Sequence, residues 1–233
     1  MTPNYDSYYK KYANQTVNWL SSDTEQLYNY NLRSRRDELK CHGWIDSDIT
    51  YRFNSFGFRC NEFTDAPTAM FLGCSFTVGI GLPLHSLWPE IVSDSLNLQC
   101  ANLGIGAAAP NTAFRLCHGY IDMINPKIVV YLTPPPGRLE IIEDLPRIYG
   151  PWGQGTRRQP DLYKAWVSNE DNILFNEEKN LLGIRMLCAD RNIKFINVSS
   201  SELPSSNSLA RDLAHPGVEC NSIFANHLLN LIE

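Results

Sequence analysis

A serine, a histidine and an aspartate in this sequence have the surroundings that nucleophilic catalysis needs. Ser75 follows a short apolar run and lies among glycines, in G-C-S-F-T-V-G (73–79), where its hydroxyl can be exposed. Asp212 precedes His215 by three residues. A histidine can take the proton of a serine hydroxyl, and an aspartate can orient the imidazole and stabilise its charged form. These residue types predict acyl transfer through a covalent serine intermediate.

Acyl transfer also needs donors for the developing oxyanion, and glycine-rich turns supply backbone N–H groups for that purpose. One such turn surrounds Ser75, and a second ends the run C-A-N-L-G-I-G (100–106). The backbone N–H groups of these two turns are therefore candidate oxyanion donors. The side-chain amide of Asn111 is an alternative donor, and a helix cap is its other interpretation.

Strand-like and helix-like patterns alternate from residue 67 onward and must position these residues. The predicted strands are 68–75, 100–106, 127–133 and 194–200, and the predicted helices are 85–97, 110–125, 176–192 and 218–233. The alternation predicts an α/β fold with three α/β/α layers, flavodoxin-like, around a parallel sheet of about five strands. Ligands bind outside the carboxyl ends of such strands, so residues that follow the strands converge on one edge.

Residues 1–66 and the segment 134–169 depart from this alternation. The first is polar and rich in tyrosine, which indicates an N-terminal extension packed on a body formed by residues 67–233. The second carries six prolines and indicates a long loop that is functional or mobile. A subunit contact is the other interpretation of this loop.

Four basic or aromatic positions of the 134–169 segment are candidates for contact with a substrate. Arg138 can bind a carboxylate or a sulfate, and Trp152 can pack against the substrate. With Arg157 and Arg158, Trp152 is predicted to lie over the cleft and set specificity.

Composition and charge exclude several function classes. The 233 residues are 43% hydrophobic with a net charge of −5, which is typical of a globular protein and a poor match for non-specific nucleic-acid binding. The chain has no run of 18 apolar residues, so no membrane span is expected. The seven cysteines are widely spaced and lack C-x-x-C, so we expect reduced thiols and neither a zinc site nor a disulfide framework. Without a visible apolar leader, the expected compartment is the cytoplasm, for a cellular, viral or particle-associated protein.

The blocks that carry these residues resemble those of the SGNH hydrolases, the superfamily of GDSL-type esterases and lipases. The block G-D-S-x-[TS]-x-G resembles residues 73–79, an N-x-G-x-x-G-like block resembles 102–107, and D-x-x-H-P matches 212–216. The stretch Y-R-F-N-S-F-G-F-R (51–59) resembles one that precedes the nucleophile strand in some members. The resemblance covers roughly residues 50–233, and D-x-x-H-P is its most specific part.

The resemblance implies hydrolysis of a carboxylic ester without a cofactor. Ser75 would attack the ester and form an acyl-serine intermediate, His215 would act first as base and then as acid, and Asp212 would orient His215. The N–H groups of Ser75 and of Gly106 or Ala107 would stabilise the oxyanion. The implied substrate is a small-molecule or glycan ester with a short acyl group such as acetyl.

The sequence departs from the family pattern at three positions. Cys74 replaces an aspartate, Ala107 replaces a glycine, and T-P-P-P-G-R (133–138) lacks the asparagine of the third block, G-x-N-D. Loss of one side-chain oxyanion donor costs about 10²- to 10³-fold in rate. Two alternatives therefore stay open: a non-catalytic module that binds a glycan or builds an assembly, and an acyltransferase that uses the same triad.

Overall fold

The computed structural model describes residues 5–142, 145–153, 161–204 and 207–232. The strands are β1 (Thr16–Val17), β2 (Tyr51–Arg52), β3 (Thr68–Leu72), β4 (Gln99–Asn102), β5 (Ile128–Thr133), β6 (Leu139–Ile142), β7 (Pro146–Tyr149) and β8 (Lys194–Ser199). The helices are α1 (Glu25–Ser34), α2 (Arg36–Cys41), α3 (Ser75–Val78), α4 (Trp88–Ser95), α5 (Pro110–Ile124), α6 (Asp161–Val167), α7 (Glu170–Ala189) and α8 (Val218–Ile232). Across these ranges, no helix has the length and apolar character needed to span a membrane.

A parallel sheet in the order β4-β3-β5-β8 forms the centre of the fold. All five residues of β3 are buried, and successive side chains point to opposite faces. Ala69 and Phe71 pack into a core with α4 and α8, whereas Met70 and Leu72 pack into a core with α5 and α7. The predicted α/β/α layering is confirmed. Within the described ranges the central sheet has four strands, where about five were predicted.

The N-terminal region contributes to the larger of these cores. Its buried aromatic residues include Tyr9, Tyr51, Phe53 and Phe58, which share one hydrophobic cluster with the α5 and α7 side of the sheet. β1 and β2 pair in antiparallel fashion inside this region. The tyrosines and phenylalanines noted in the sequence thus fix residues 5–66 against the sheet through apolar packing.

The segment 134–169, which the sequence predicts to be a long loop, contains regular structure. β6 and β7 form an antiparallel hairpin, and α6 follows it. A buried ion pair fixes the hairpin to α5, with 2.7 Å between Arg115 Nε and Glu140 Oε1. This contact joins distant parts of the chain, so no local pattern predicts it. Arg157 and Arg158 fall in 154–160, which lies outside the described residues.

Helix α7 begins six residues before its predicted start at 176. Asn169 caps it, because its side-chain oxygen accepts a hydrogen bond of 2.9 Å from the N–H of Asp171. Leu174 and Phe175 in the first turns are exposed, which breaks the apolar spacing used to predict the helix.

Arg59, the last residue of the 51–59 stretch, forms hydrogen bonds to the backbone at the end of α3 and directly after it. Its guanidinium donates to the carbonyls of Val78 and Leu82, at 3.0 and 2.6 Å, and to that of Gly79. The ring of Tyr51 stacks against it at 4.3 Å. Burial lowers the pKa of Arg59 to about 10, so the side chain is still charged at neutral pH. A buried cation thus satisfies the carbonyls at the end of this short helix.

We expect Arg59→Met to reduce the free energy of unfolding by about 3–5 kcal/mol, because it leaves several buried carbonyls without donors. Urea denaturation measures the change. Arg52→Met is the matched control, since Arg52 is exposed, and should change stability by less than about 0.5 kcal/mol. Equal losses in the two variants would contradict this role of Arg59.

Candidate active site

Ser75 begins α3 directly after the turn that ends β3. The turn is tight: Gly73 has a φ of +154°, and a Cβ there would lie 2.2 Å from Thr77 Oγ1. Ser75 is partly buried, and its N–H belongs to the first helical turn, where no carbonyl of the helix can accept it. Cys74, the neighbouring thiol, is completely buried in the core. The serine, and not the cysteine, therefore faces the site.

Asp212 and His215 form a closely paired acid and base. The Nδ1 atom of His215 lies 2.6 Å from Asp212 Oδ2. The other carboxylate oxygen accepts the backbone N–H groups of Ala214 and His215, at 3.1 and 3.0 Å. Leu213 has a φ of +53°, and this left-handed residue turns the chain within the Asp212–His215 loop.

The charge state of Asp212 fixes the tautomer of His215. Burial raises the pKa of this carboxyl, but the hydrogen bonds and charge of His215 and the hydroxyl of Ser22 outweigh burial, so the pKa lies below its usual value. An ionised carboxylate can only accept hydrogen bonds. The proton must therefore lie on Nδ1, which leaves Nε2 free to accept a proton from a nucleophile.

Ser75 and His215 line the same small cavity. Its volume is about 10 Å³, enough for roughly one water molecule. The ring of Phe76 meets the imidazole edge-on, with 5.7 Å between centroids. The Ser75 hydroxyl has no hydrogen-bond partner among the residues that the structure describes. The predicted nucleophile and base thus share a cavity without a direct hydrogen bond, which is common in sites without bound substrate.

The N-terminal region contacts the acid of this pair directly. The hydroxyl of Ser22 donates to Asp212 Oδ2 at 2.7 Å. The next residue, Asp23, binds Arg211 in a bidentate ion pair, with distances of 3.0 and 2.7 Å. The sequence analysis missed Ser22, Asp23 and Arg211, and the position of Arg211 beside Asp212 was the one available signal.

The second glycine-rich turn is fixed to the nucleophile helix by Asn102. Its Nδ2 donates to the carbonyl of Thr77 at 2.8 Å, and its Oδ1 accepts the N–H of Gly104 at 3.0 Å. The backbone ladder between β3 and β4 also extends beyond the strands, since Ile105 N–H donates to Gly73 O at 3.1 Å. The turn at Gly106 therefore lies beside the turn at Ser75.

The two candidate donors of this turn differ in their partners. The N–H of Gly106 donates to the hydroxyl of Tyr9 at 2.8 Å, a contact that the sequence analysis did not anticipate. The N–H of Ala107 has no hydrogen-bond acceptor in the described part of the chain. Ala107 has a φ of +68°, a left-handed conformation that costs an alanine roughly 1–2 kcal/mol. Of the two, Ala107 has the available N–H group.

The alternative oxyanion donor Asn111 is engaged by the hairpin. Its Nδ2 donates to Glu140 O at 2.7 Å, and its Oδ1 accepts the N–H of Glu140 at 3.1 Å. Arg138 stacks over the ring of Trp152 at 4.9 Å and lies 3.4 Å from the carbonyl of Ala108. The two predicted substrate-binding residues therefore contact each other beside the second glycine-rich turn.

Gly106 and Ala107 of this turn line a larger cavity of about 340 Å³. Aromatic, aliphatic and polar side chains and the backbone of the turn line it: Tyr8, Tyr9, Lys11, Tyr12, Leu20, Ser21, Gly106, Ala107, Ile148 and Trp152. Ser21 joins it to the acid–base pair, because the adjacent Ser22 binds Asp212. Within the described ranges, no three His, Cys, Asp or Glu side chains form a group that could hold a metal ion.

No protein-family model matches the chain, and no curated protein is similar to it in sequence. Among solved structures, a member of the lipolytic protein G-D-S-L family from Veillonella parvula is 15% identical, with a TM-score of 0.35 over 71% of this chain and 97% of that one. The psychrotrophic esterase EstA from a Pseudoalteromonas species is 14% identical, with a TM-score of 0.35 over 71% and 96%. An acetyl xylan esterase is 15% identical, with a TM-score of 0.37 over 71% and 100%. At these TM-scores, the functional argument rests on the side chains described above.

We expect Ser22→Ala to lower the free energy of unfolding by about 1–2 kcal/mol at pH 7, because it removes a hydrogen bond to an ionised carboxylate. The folded state holds the pKa of Asp212 below its unfolded value of about 3.9, so this contribution is present above that pH and is lost as the pH falls through the folded pKa. Urea denaturation of wild type and variant between pH 7 and pH 3 measures the difference. Ser34→Ala, at an exposed serine of α1, should show no such pH dependence.

Proposed function

We propose that the protein is a serine esterase that hydrolyses short-chain carboxylic esters through an acyl-serine intermediate. The observation that carries this proposal is that His215, which is paired with Asp212, lines the same cavity as Ser75. The tautomer set by the ionised carboxylate leaves the imidazole able to act as a base. The three blocks that resemble those of SGNH hydrolases support the same chemistry.

In the proposed reaction, His215 Nε2 takes the hydroxyl proton as Ser75 Oγ attacks the ester carbonyl. The imidazolium that forms is stabilised by Asp212, and it gives the proton to the leaving alcohol when the C–O bond breaks. The same nitrogen then takes a proton from a water molecule as the water oxygen attacks the acyl-serine. The bond between the acyl carbon and Ser75 Oγ breaks, the imidazolium returns the proton to Oγ, and the carboxylic acid is released. The N–H groups of Ser75 and Ala107 are the proposed backbone donors to the oxyanion.

The sizes of the two cavities support a short acyl group and a larger alcohol. The cavity beside Ser75 and His215 has a volume of about 10 Å³, which offers no space for a long acyl chain without rearrangement. The larger cavity of about 340 Å³, which Ala107 lines, has tyrosine and tryptophan rings that suit the face of a sugar. An acetyl ester of a glycan or another small alcohol fits this division best.

A fluorophosphonate probe should label the wild-type protein and fail to label Ser75→Ala, because the probe reacts with an activated serine. His215→Ala should label at a rate reduced by more than about 10³-fold, since it removes the base. The same samples should lose p-nitrophenyl acetate turnover in parallel. Ser95→Ala and His227→Ala, at exposed positions of α4 and α8, are controls that should keep both properties. A folded wild type that does not react would contradict the proposal and favour a non-catalytic binding module.

We also expect kcat/KM to fall by at least about tenfold from p-nitrophenyl acetate to p-nitrophenyl octanoate. The additional methylenes find no space beside Ser75, and overpacking of this kind costs about 1–3 kcal/mol. Steady-state kinetics over the acyl series give the comparison. Higher kcat/KM for the longer esters would point to an acyl site outside these two cavities.

A further inference from the structure

We propose that the Tyr9 hydroxyl is a third donor to the oxyanion, held in position by the N–H of Gly106. This inference rests on the proposed esterase function and identifies a further catalytic residue for it. The hydroxyl contacts the second glycine-rich turn directly, at 2.8 Å from Gly106 N. The next residue along this turn is Ala107, whose own N–H is available.

The direction of that hydrogen bond leaves the phenol proton free. The N–H of Gly106 donates, and the tyrosine oxygen accepts, so the O–H hydrogen needs a different acceptor. None is present among the described residues, although Tyr9 is only 4% exposed. A buried donor without a partner costs about 1–3 kcal/mol. An oxygen that gains negative charge during the reaction would supply the missing acceptor.

The position of the hydroxyl is determined by close packing. A Cβ on Gly106 would lie 2.5 Å from the Tyr9 oxygen, so the absence of a side chain there makes room for the phenol. The backbone of Lys10 packs closely against Gly57 of the 51–59 stretch, because a Cβ on that glycine would lie 2.7 Å from Lys10 Cα. The hydroxyl of Ser7 donates to Gly57 O at 2.7 Å. These contacts fix residues 7–10 against the 51–59 stretch, and in this position the Tyr9 side chain reaches the second glycine-rich turn.

Among the described residues at the end of β5, no side-chain amide is available as an oxyanion donor in place of Tyr9. Thr133 and Pro134, which follow the strand, are buried, and the hydroxyl of Thr133 is bound by Asn197 Nδ2 at 2.8 Å. Asn111 is engaged by Glu140, as described above.

The hydroxyl of Ser21 also lies near Gly106, but Ser21 is exposed to solvent. The Nε atom of Arg138 is buried without a hydrogen-bond partner, and its guanidinium stacks over Trp152. The Tyr9 hydroxyl differs from both, because it is buried and hydrogen-bonded to the turn while its proton is unused.

The phenol remains protonated under ordinary conditions, as a donor must. Burial raises the pKa of Tyr9 well above its usual value, and the backbone hydrogen bond from Gly106 opposes this only in part. The titratable groups whose charges act on it are Tyr8 and Tyr12 of its own segment and the buried Arg59. The donor is therefore lost only at alkaline pH.

The test compares Tyr9→Phe with wild type by p-nitrophenyl acetate kinetics and by inhibition with a trifluoromethyl ketone, which forms a charged adduct with the serine. We expect kcat to fall about 10²-fold with KM little changed, and inhibitor affinity to fall by a similar factor. Gly106→Ala, which displaces the hydroxyl, should cause the same loss, and the double variant should lose no more than either single variant.

Tyr28→Phe is the matched control, because its partly buried hydroxyl also makes hydrogen bonds, to the carbonyls of Trp44 and Ile45, and none to the second glycine-rich turn. Its kcat should change less than twofold. An unchanged or increased kcat in Tyr9→Phe would overturn the inference, and an increase would identify the hydroxyl as a group that blocks the site. A wild type with no Ser75-dependent activity would instead overturn the proposed function.

If Tyr9→Phe does not fold, 2,3,5-trifluorotyrosine at position 9 keeps the shape and makes the phenol more acidic. The alkaline loss of kcat should then begin at a lower pH than in wild type, because the ionised phenol cannot donate. An alkaline limb at the wild-type pH would overturn the inference.

Discussion

The buried ion pair between Asp23 and Arg211 is the interaction on which the arrangement of this site depends. It joins residues 188 positions apart, and both carboxylate oxygens engage the guanidinium. The hydroxyl of Tyr51 also donates to Asp23, and the ring of Trp19 stacks on Arg211 at 4.2 Å. Because removal of one partner from a buried pair costs about 3–5 kcal/mol, the register of the two segments is strongly fixed. Ser22 is next to Asp23 and Asp212 is next to Arg211, so the ion pair also places the Ser22 hydroxyl against Asp212. Ser21 then lines the larger cavity together with the second glycine-rich turn.

Two residues with left-handed backbone lie where the site needs sharp changes of direction. Ala107 turns the chain at the proposed oxyanion donors, and Leu213 turns it between Asp212 and His215. Neither is a glycine, so each carries a conformational cost that the surrounding contacts must offset. For Leu213 those contacts are its burial and the hydrogen bonds of the next two amides to Asp212. Backbone strain and charge pairing thus act together at the proposed base. The helix that begins with the proposed nucleophile is instead held through its backbone carbonyls, by Arg59 and by the side-chain amide of Asn102.

Local patterns were sufficient to predict the layers of the fold and the candidate triad. The apolar run before Ser75 and the spacing of Asp212 and His215 are visible in the sequence because each depends on neighbours along the chain. The hairpin in 134–169 was missed, since it is fixed by the pairing of Glu140 with Arg115, which leaves no periodic signal. Tyr9 and Ser22 were missed for the same reason: their partners lie 97 and 190 residues away.

The separation of these partners has a consequence for the order in which the molecule is assembled. β3, β4 and the helix that begins at Ser75 come from one continuous stretch, together with the arginine that holds it. The base and its supports come from the other end of the sequence, and contacts between distant residues form slowly because closing a long loop costs entropy. During synthesis the serine can therefore reach its turn while the histidine is still inside the ribosome. Such an unfinished chain carries the proposed nucleophile without its proposed base, so on this proposal reactivity arises only when assembly is complete.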